Sequence, residues 1–302
     1  MLPIARSFLD PKVLSRLASV PLLSRHAMQG NISGRHSSPH RGSSVEFAEY
    51  RKYVPGDDLR RLDWRAFGRT DRYYVKEFEA DTNLRCCVVV DTSGSMAYAS
   101  KGQTTKIEYA RQIAASMAYL AAQQGDAVGL TCVAEKIVNN IPPRRSAAHL
   151  KVILDTLENA KPAGDTQLPL ILNELAETVR QRALVIIISD FFVDPAVLKG
   201  CFEHLRFRKH DVAAFHLLDP LELEFAFQRP VRFTDMEGGQ PLFVEPTEIV
   251  DRYHRALNTY LTNLQRIVLE TAIDYHRVIT SESYEHPMMR FLVGRTRGRG
   301  VR

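Results

Sequence analysis

Oxygen-bearing side chains alternate along the segment Asp91-Thr92-Ser93-Gly94-Ser95, which directly follows the apolar run Cys86-Cys87-Val88-Val89-Val90. A Val-rich run bounded by polar turn residues is typical of a central strand in a parallel sheet. Open α/β sheets bind ligands just beyond the carboxyl ends of such strands. The sequence therefore predicts that Asp91, Ser93 and Ser95 face one crevice, where they are suited to bind a hard cation.

Two more side chains are expected at the same edge of the sheet. Thr166 opens a predicted helix after Gly164-Asp165, and Asp190 ends the predicted strand 183–189. The full set has two carboxylates and three hydroxyls, which suits Mg²⁺ or Mn²⁺ because these ions prefer oxygen ligands. So few carboxylates leave residual positive charge on the ion, and an Asp or Glu of a partner protein would complete its shell.

Other roles for these residues are open. Asp91, Ser93 and Ser95 also suit simple capping of a turn and a helix, but Thr166 and Asp190 at the same edge favour the metal site. A phosphotransferase would need a second Asp where Ser93 stands, and no G-x-S-x-G, G-x-x-x-x-G-K-[ST] or G-x-G-x-x-G loop occurs. A metal-dependent hydrolase remains the alternative, without a nearby His or Glu as base. The chain is predicted not to be an enzyme.

Composition indicates a globular protein. The chain has 302 residues, of which 45% are hydrophobic, and a formal net charge of +5, which suits an acidic partner without requiring nucleic acid. Cys86, Cys87, Cys132 and Cys201 show no C-x-x-C spacing and are predicted to be reduced core thiols. No apolar run approaches the roughly 20 residues that span a bilayer, and the first residues lack a signal core, so a cytoplasmic location is expected.

Strands alternate with helices from residue 84 onward, which predicts a doubly wound, mostly parallel α/β sheet of Rossmann type. Thr105-Lys106-Ile107-Glu108 is the capping box of one of its helices. Pro142-Pro143 follow a predicted edge strand. The predicted divisions are an N-terminal helical and loop extension (1–80), the sheet domain (81–220), a C-terminal hairpin and helix extension (221–294) and a disordered basic tail (295–302).

Basic, acidic and aromatic residues are interleaved between Arg35 and Lys76. One interpretation is an RNA-binding surface, with arginines on phosphates and Tyr53, Trp64 or Tyr73 stacked on bases. The other is a structural clamp in which the acidic residues pair with the arginines. Because acidic residues would repel phosphate, the clamp is favoured, and no nucleic-acid partner is predicted.

Two stretches are similar to a known family. The first runs from Arg41-Gly42-Ser43-Ser44-Val45-Glu46-Phe47 through Tyr53-Val54-Pro55-Gly56-Asp57-Asp58-Leu59-Arg60-Arg61-Leu62-Asp63-Trp64 to Arg69-Thr70-Asp71, and the second is Asp91-Thr92-Ser93-Gly94-Ser95-Met96. They resemble the bacterial family called domain of unknown function 58, whose members join an Arg-rich signature to a von Willebrand factor A-like domain.

That resemblance implies a metal-ion-dependent adhesion site with the D-x-S-x-S start at Asp91, Ser93 and Ser95, and with Thr166 and Asp190 as its later threonine and aspartate. It also implies an adaptor or chaperone-like partner of a MoxR-type AAA+ ATPase. Asp165 departs from the family pattern, in which a second Gly is common. Many longer relatives carry N-terminal membrane helices, and none is predicted in this sequence. The predicted function is therefore a divalent-cation-dependent protein-interaction module.

Overall fold

The computed structural model describes residues 6–25, 46–52, 67–69, 72–79, 84–236 and 241–297. The chain forms two compact units, of which one comprises His26–Leu84 and the other the residues on either side. Residues up to Arg25 thus belong with the larger unit, whereas the sequence predicted that they belong with the Arg-rich segment. None of the described helices is long and apolar enough to cross a membrane.

Strands and helices alternate along most of the described chain. The strands are β1 (Glu46–Lys52), β2 (Tyr74–Glu79), β3 (Arg85–Asp91), β4 (Ala127–Val133), β5 (Ile137–Arg144), β6 (Leu184–Ser189), β7 (Asp211–Leu218), β8 (Val231–Phe233), β9 (Leu242–Val244) and β10 (Asp274–Ile279). The helices are α1 (Pro11–Leu17), α2 (Lys106–Gln123), α3 (Ala147–Asn159), α4 (Leu168–Thr178), α5 (Pro195–Phe207), α6 (Pro220–Glu224), α7 (Pro246–Glu270) and α8 (Glu285–Arg297), with a 3-10 turn at Gly94–Ala97.

The main sheet has the order β10-β7-β6-β3-β4-β5, in which only β5 pairs antiparallel to its neighbour. All residues of β4, β6 and β7 are buried, as expected for parallel strands covered by helices on both faces. Successive residues of β7 point to opposite faces: Ala214 joins a core with α4, α5 and α7, while Phe215 contacts Phe291 of α8. The predicted doubly wound α/β fold is confirmed.

The edge strand β5 extends further than predicted and includes Pro142 and Pro143. Proline is tolerated there because an edge strand has one row of backbone groups without a ladder partner. Opposite these prolines, a Cβ on Gly129 would lie 2.6 Å from the carbonyl oxygen of Ile141. Glycine therefore allows β5 to approach β4 closely where their register shifts between Val128 and Leu130.

Two predicted boundaries differ from the structure. Thr166 was predicted to open a helix, but α4 begins at Leu168 and its N-cap is Gln167. The tail was predicted to begin at Arg295, but α8 continues to Arg297, and Arg295 is only 2% exposed because it pairs with Asp211 and Asp274. The basic, Gly-rich composition suggested disorder from Arg295 onward. In the structure, Arg295 instead lies in the last turn of α8, where it pairs with carboxylates distant in the sequence.

The four cysteines are buried and free of disulfides, as predicted. Burial raises the pKa of Cys87 and of Cys132 to about 12. In the smaller unit, β1 pairs antiparallel with β2, and the rings of Phe67 and Tyr73 stack with centroids 4.5 Å apart. Most of the Arg-rich signature, including Tyr53 and Trp64, lies outside the described residues, so the choice between clamp and RNA surface stays a prediction.

Candidate metal centre

The two predicted carboxylates lie at the carboxyl ends of adjacent parallel strands. Asp91 is the last residue of β3, and Asp190 follows the last residue of β6; Val90 and Ile188 are partners in the register. Each aspartate is 1% exposed. The two aspartates therefore lie at one edge of the sheet, as expected for residues that follow the carboxyl ends of parallel strands.

Asp91 is held by two hydrogen bonds. Its Oδ1 accepts from the backbone N–H of Ser93 at 2.9 Å, and its Oδ2 accepts from Oγ of Ser189 at 2.6 Å. Burial, and next the charge of Asp190, raise the pKa of Asp91 to about 6 although both hydrogen bonds oppose the shift. Sequence reasoning missed Ser189, which was visible as the hydroxyl that ends β6. The Asp91 carboxylate is thus oriented at an edge where negative charge is unfavourable.

The hydroxyls of Ser93 and Ser95 lie together, with their Oγ atoms 3.1 Å apart. Ser93 is fully buried and precedes the 3-10 turn, but its side chain makes no capping hydrogen bond there. The hydroxyl of Ser93 therefore does not cap the turn; it contacts the hydroxyl of Ser95 instead. Asp91 is thus linked to Ser93 through a backbone N–H, and Ser93 is linked to Ser95 through their hydroxyls.

The loop that carries Thr166 is tied to the same turn. The N–H of Gly94 donates to the carbonyl of Gly164 at 2.8 Å, and the N–H of Ala163 donates to the carbonyl of Thr92 at 2.9 Å. Within the described part of the chain, the hydrogen bonds of Thr166 stay in its own loop, where its Oγ1 accepts from the N–H of Leu168 at 3.4 Å. The structure brings the Thr166 loop to the edge, but it joins the Thr166 side chain to none of the other four predicted ligands.

A buried lysine that sequence reasoning missed pairs with Asp190. Nζ of Lys106 lies 3.0 Å from Oδ2 of Asp190 and 2.5 Å from Oε1 of Glu222, and the Lys106 side chain is 0% exposed. Burial by itself would lower the pKa of Lys106, but the two carboxylates outweigh burial and raise that pKa above its ordinary value. The available signal was its position between the helix cap Thr105 and Ile107, the first apolar residue on the buried face of α2.

The donor set fits a hard divalent cation. Asp91, Asp190 and Glu222 contribute three carboxylates against the single ammonium of Lys106, which leaves two negative charges without a counter-charge in this group. Buried charges of one sign are costly unless they are neutralised. Among the described residues, no three His, Cys, Asp or Glu side chains are grouped as metal ligands, so a cation at this edge would depend on the serine hydroxyls.

Glycine at position 94 lets a distant segment close over this turn, and replacing it should disturb both. A Cβ on Gly94 would lie 2.2 Å from the carbonyl oxygen of Met236, a contact that atoms do not make. We expect Gly94→Ala to lower the free energy of unfolding by about 1–3 kcal/mol, as overpacking does. The matched control is Gly200→Ala, where the added Cβ meets nothing within 4 Å. Urea unfolding of both variants checks this, and equal stability of the two would contradict it.

Residues 49–260 match the family described as "Protein of unknown function DUF58". Uncharacterized protein Mb1516 of Mycobacterium bovis is 27% identical over 294 residues, which cover 96% of this chain and 92% of that protein. Uncharacterized protein YeaD of Bacillus subtilis is 27% identical over 222 residues, which cover 72% of this chain and 52% of YeaD.

Two solved structures are similar in fold. Conserved hypothetical protein BatB from Bacteroides thetaiotaomicron has a TM-score of 0.49 and 15% identity, and the match covers 71% of this chain and 100% of BatB. The SpRpn10 VWA domain has a TM-score of 0.41 and 11% identity, and the match covers 69% of this chain and 95% of that domain. Both likenesses concern the fold alone.

Proposed function

This chain belongs to the DUF58 family, and we propose that it is a protein-interaction module that binds a divalent cation and uses it to recognise an acidic group of a partner protein. The observation that supports this best is the buried pair of Asp91 and Asp190 beside the joined hydroxyls of Ser93 and Ser95. Carboxylate and hydroxyl oxygens are ligands that Mg²⁺ and Mn²⁺ accept. When bound, the ion would supply a positive charge with an exchangeable position for a carboxylate of the partner.

Lys106 supports a role in recognition. Its ammonium shares Oδ2 of Asp190, so Asp190 neutralises a bound cation less than a free carboxylate would. Asp91, Asp190 and Glu222 carry three negative charges against Lys106 and a divalent ion, so the group as a whole is balanced, and an acidic group from outside would be attracted by the open position on the ion itself. Asp91 and Asp190 orient and hold the cation, and Ser93 and Ser95 add neutral oxygens.

The competing function, metal-dependent hydrolysis, has less support. It would need Asp91 or Asp190 to accept a proton from a water that reaches the site. The two oxygens of Asp91 each accept a hydrogen bond, and Asp190 is paired with Lys106, so neither carboxylate is free to take a proton from a cation-bound water. These carboxylates are arranged to be held still, which suits binding better than proton transfer.

Removing the two hydroxyls should remove cation binding without unfolding the protein. We expect Ser93→Ala with Ser95→Ala to weaken Mg²⁺ and Mn²⁺ binding by about 10- to 100-fold, since changes next to a metal commonly cost that much. Titration calorimetry measures the binding, and urea unfolding in chelator should show little change. Ser19→Ala, an exposed serine on α1's C-terminal side, is the control. No Mg²⁺ uptake by the unaltered protein, or unchanged uptake by the double variant, would contradict the proposal.

The first partner to test is a MoxR-type AAA+ ATPase, which the family resemblance suggests. We expect immobilised protein to capture the ATPase from the same organism in Mg²⁺ and to release it in chelator. The double serine variant should fail to capture it, because it lacks the hydroxyl ligands. Capture that persists in chelator would show a contact that does not use the cation.

A further inference from the structure

A cavity of about 390 Å³ adjoins the candidate metal centre. Ser95 forms part of its wall, so the cavity and the proposed cation site share a residue. Its other polar lining comes from Thr234, Asp235 and Glu222, the last of which is the second partner of Lys106. The rest of the wall is mainly aromatic and comes from Tyr98, Phe192, Phe225, Phe227, Phe233 and Tyr253.

The aromatic wall is held in place by its own contacts. The ring of Phe225 stacks on Tyr253 with centroids 4.4 Å apart and meets the edge of Phe227 at 5.1 Å. The hydroxyl of Tyr253 donates to the carbonyl of Glu222 at 2.6 Å, which fixes α7 against α6. Rings fixed in this way form a preformed apolar surface, so an apolar group that enters loses little free energy to reorganisation.

The size and opening of the cavity limit what it can hold. Its volume lies at the lower end of the roughly 300–1,000 Å³ range of ligand pockets, which suits a large side chain better than a cofactor. Two wall residues also face solvent: Phe192 is 47% exposed and Met236 is 43% exposed. Methionine is flexible and adapts to different apolar shapes. The cavity is therefore open to a side chain that arrives from outside.

The charges beside the cavity decide which kind of partner fits. Nζ of Lys106 lies 4.7 Å from the centroid of the Phe192 ring, but Asp190 and Glu222 pair with it, so the attraction for a carboxylate comes from the proposed cation and not from this wall. On the other side, Ser95 joins the cavity to a centre that we propose attracts a carboxylate. An apolar pocket next to a site for negative charge is complementary to an aromatic residue near an acidic one.

We propose that this cavity receives an aromatic side chain of the same partner segment whose acidic side chain is recognised at the metal centre. The inference rests on the proposed function, because it assumes that an acidic group binds there. It adds the identity of the recognised element: a short segment that carries Asp or Glu and, within a few residues, Phe, Tyr or Trp. The acidic residue is bound at the edge of the sheet, and the aromatic residue provides buried apolar area.

A displayed library of random nonapeptides, selected on the immobilised full chain in Mg²⁺ and eluted with chelator, tests this inference. We expect the eluted peptides to be enriched in Asp or Glu together with a nearby aromatic residue. Enrichment of acidic residues without aromatic ones would overturn the inference and leave the proposed function standing. Aromatic enrichment that chelator does not elute would also overturn it. No acidic enrichment at all would count against the proposed function itself.

A double-mutant cycle with one selected peptide makes the test quantitative. Binding is measured by fluorescence anisotropy. We expect the Kd to rise about tenfold when the peptide's aromatic residue is replaced with Ala, and about tenfold when Phe227→Ala is made in the protein. Both changes together should cost little more than either one, since they remove the same contact. Phe192→Ser, which alters an exposed ring, repeats the cycle if Phe227→Ala unfolds the protein. Phe207→Ala is the control, because Phe207 is 82% exposed on α5 and lies outside the cavity wall. Additive effects would overturn the inference.

Discussion

Replacing Lys106 with methionine is expected to lower the free energy of unfolding by about 3–5 kcal/mol in chelator, the cost of breaking a buried ion pair. The change removes the ammonium that lies 3.0 Å from Asp190 and 2.5 Å from Glu222, so both carboxylates lose this counter-charge. Methionine keeps a similar length and an apolar stem, so loss of packing contributes little. Urea unfolding in chelator measures the effect.

Mg²⁺ should restore part of that loss. A cation bound only by the folded state stabilises it by an amount that grows with the logarithm of its concentration over its Kd, about 2.7 kcal/mol at 100 times the Kd. Because Asp190 no longer shares its charge with an ammonium, we expect Lys106→Met to bind Mg²⁺ more tightly than the unaltered protein does. Equal stabilisation of the two proteins by Mg²⁺ would contradict this account of Lys106.

Lys199 provides the matched control. Its Nζ lies 2.8 Å from Glu270, a separation like that in the Lys106 pair, but its side chain is 40% exposed and water screens the interaction. Lys199→Met should therefore change the stability little, and Mg²⁺ should stabilise it as much as it stabilises the unaltered protein. Similar losses in the two lysine variants would mean that burial of the Lys106 pair is energetically unimportant.

The second large effect is expected at Arg295. Its guanidinium lies 2.7 Å from Asp211 and 3.1 Å from Asp274, and it donates to the carbonyl of Leu23 at 3.0 Å. Arg295 thus joins α8 to the first residues of β7 and β10 and to the segment after α1. We expect Arg295→Met to lower the free energy of unfolding by about 3–5 kcal/mol, because two buried carboxylates lose the guanidinium that they share. Arg16→Met, which breaks the exposed pair of Arg16 and Glu285, is the control.

The pH dependence of stability identifies this network. Burial alone would raise the pKa of Asp211 and of Asp274, but Arg295 on the first, and His276 and Arg295 on the second, hold both below the ordinary 3.8. Each carboxylate therefore stabilises the fold fully above about pH 4, and this contribution is lost as the pH falls through the lower folded values. In Arg295→Met, burial without the arginine should move both pKa values upward, so acid should reduce the stability of that variant less than it reduces the stability of the unaltered protein. Urea unfolding between pH 7 and pH 3 compares the two trends.

The elements of the sheet were predictable because their signals are local. The run Cys86–Val90 is continuous and apolar, and it lies within β3 as predicted. Thr105 and Glu108 form the predicted capping box. Pro142 and Pro143 were misleading as a strand end, because an edge strand accepts residues that a central strand excludes.

The candidate centre was predictable only in part. Asp91 and Asp190 follow from the rule that parallel strands end at one edge, and Ser93 and Ser95 follow from their spacing after Asp91. Lys106 and Glu222 are 116 positions apart in the chain, so no local sequence pattern indicates that they form an ion pair. Arg295 was assigned to a disordered tail for the same reason: its partners are distant, and composition describes only its neighbours.

The pairing of β10 with β7 has a consequence for anyone who would express the sheet domain alone. β10 lies within the segment 221–294 that the sequence assigned to a C-terminal extension, and it hydrogen-bonds to β7 along Ala213–Leu218. A fragment that stops near residue 220 would leave β7 as a bare edge in which every residue is otherwise buried. Long apolar edges of this kind recruit strands from other molecules, so such a fragment is expected to aggregate. By pairing with β7, β10 therefore protects the protein from aggregation through that edge.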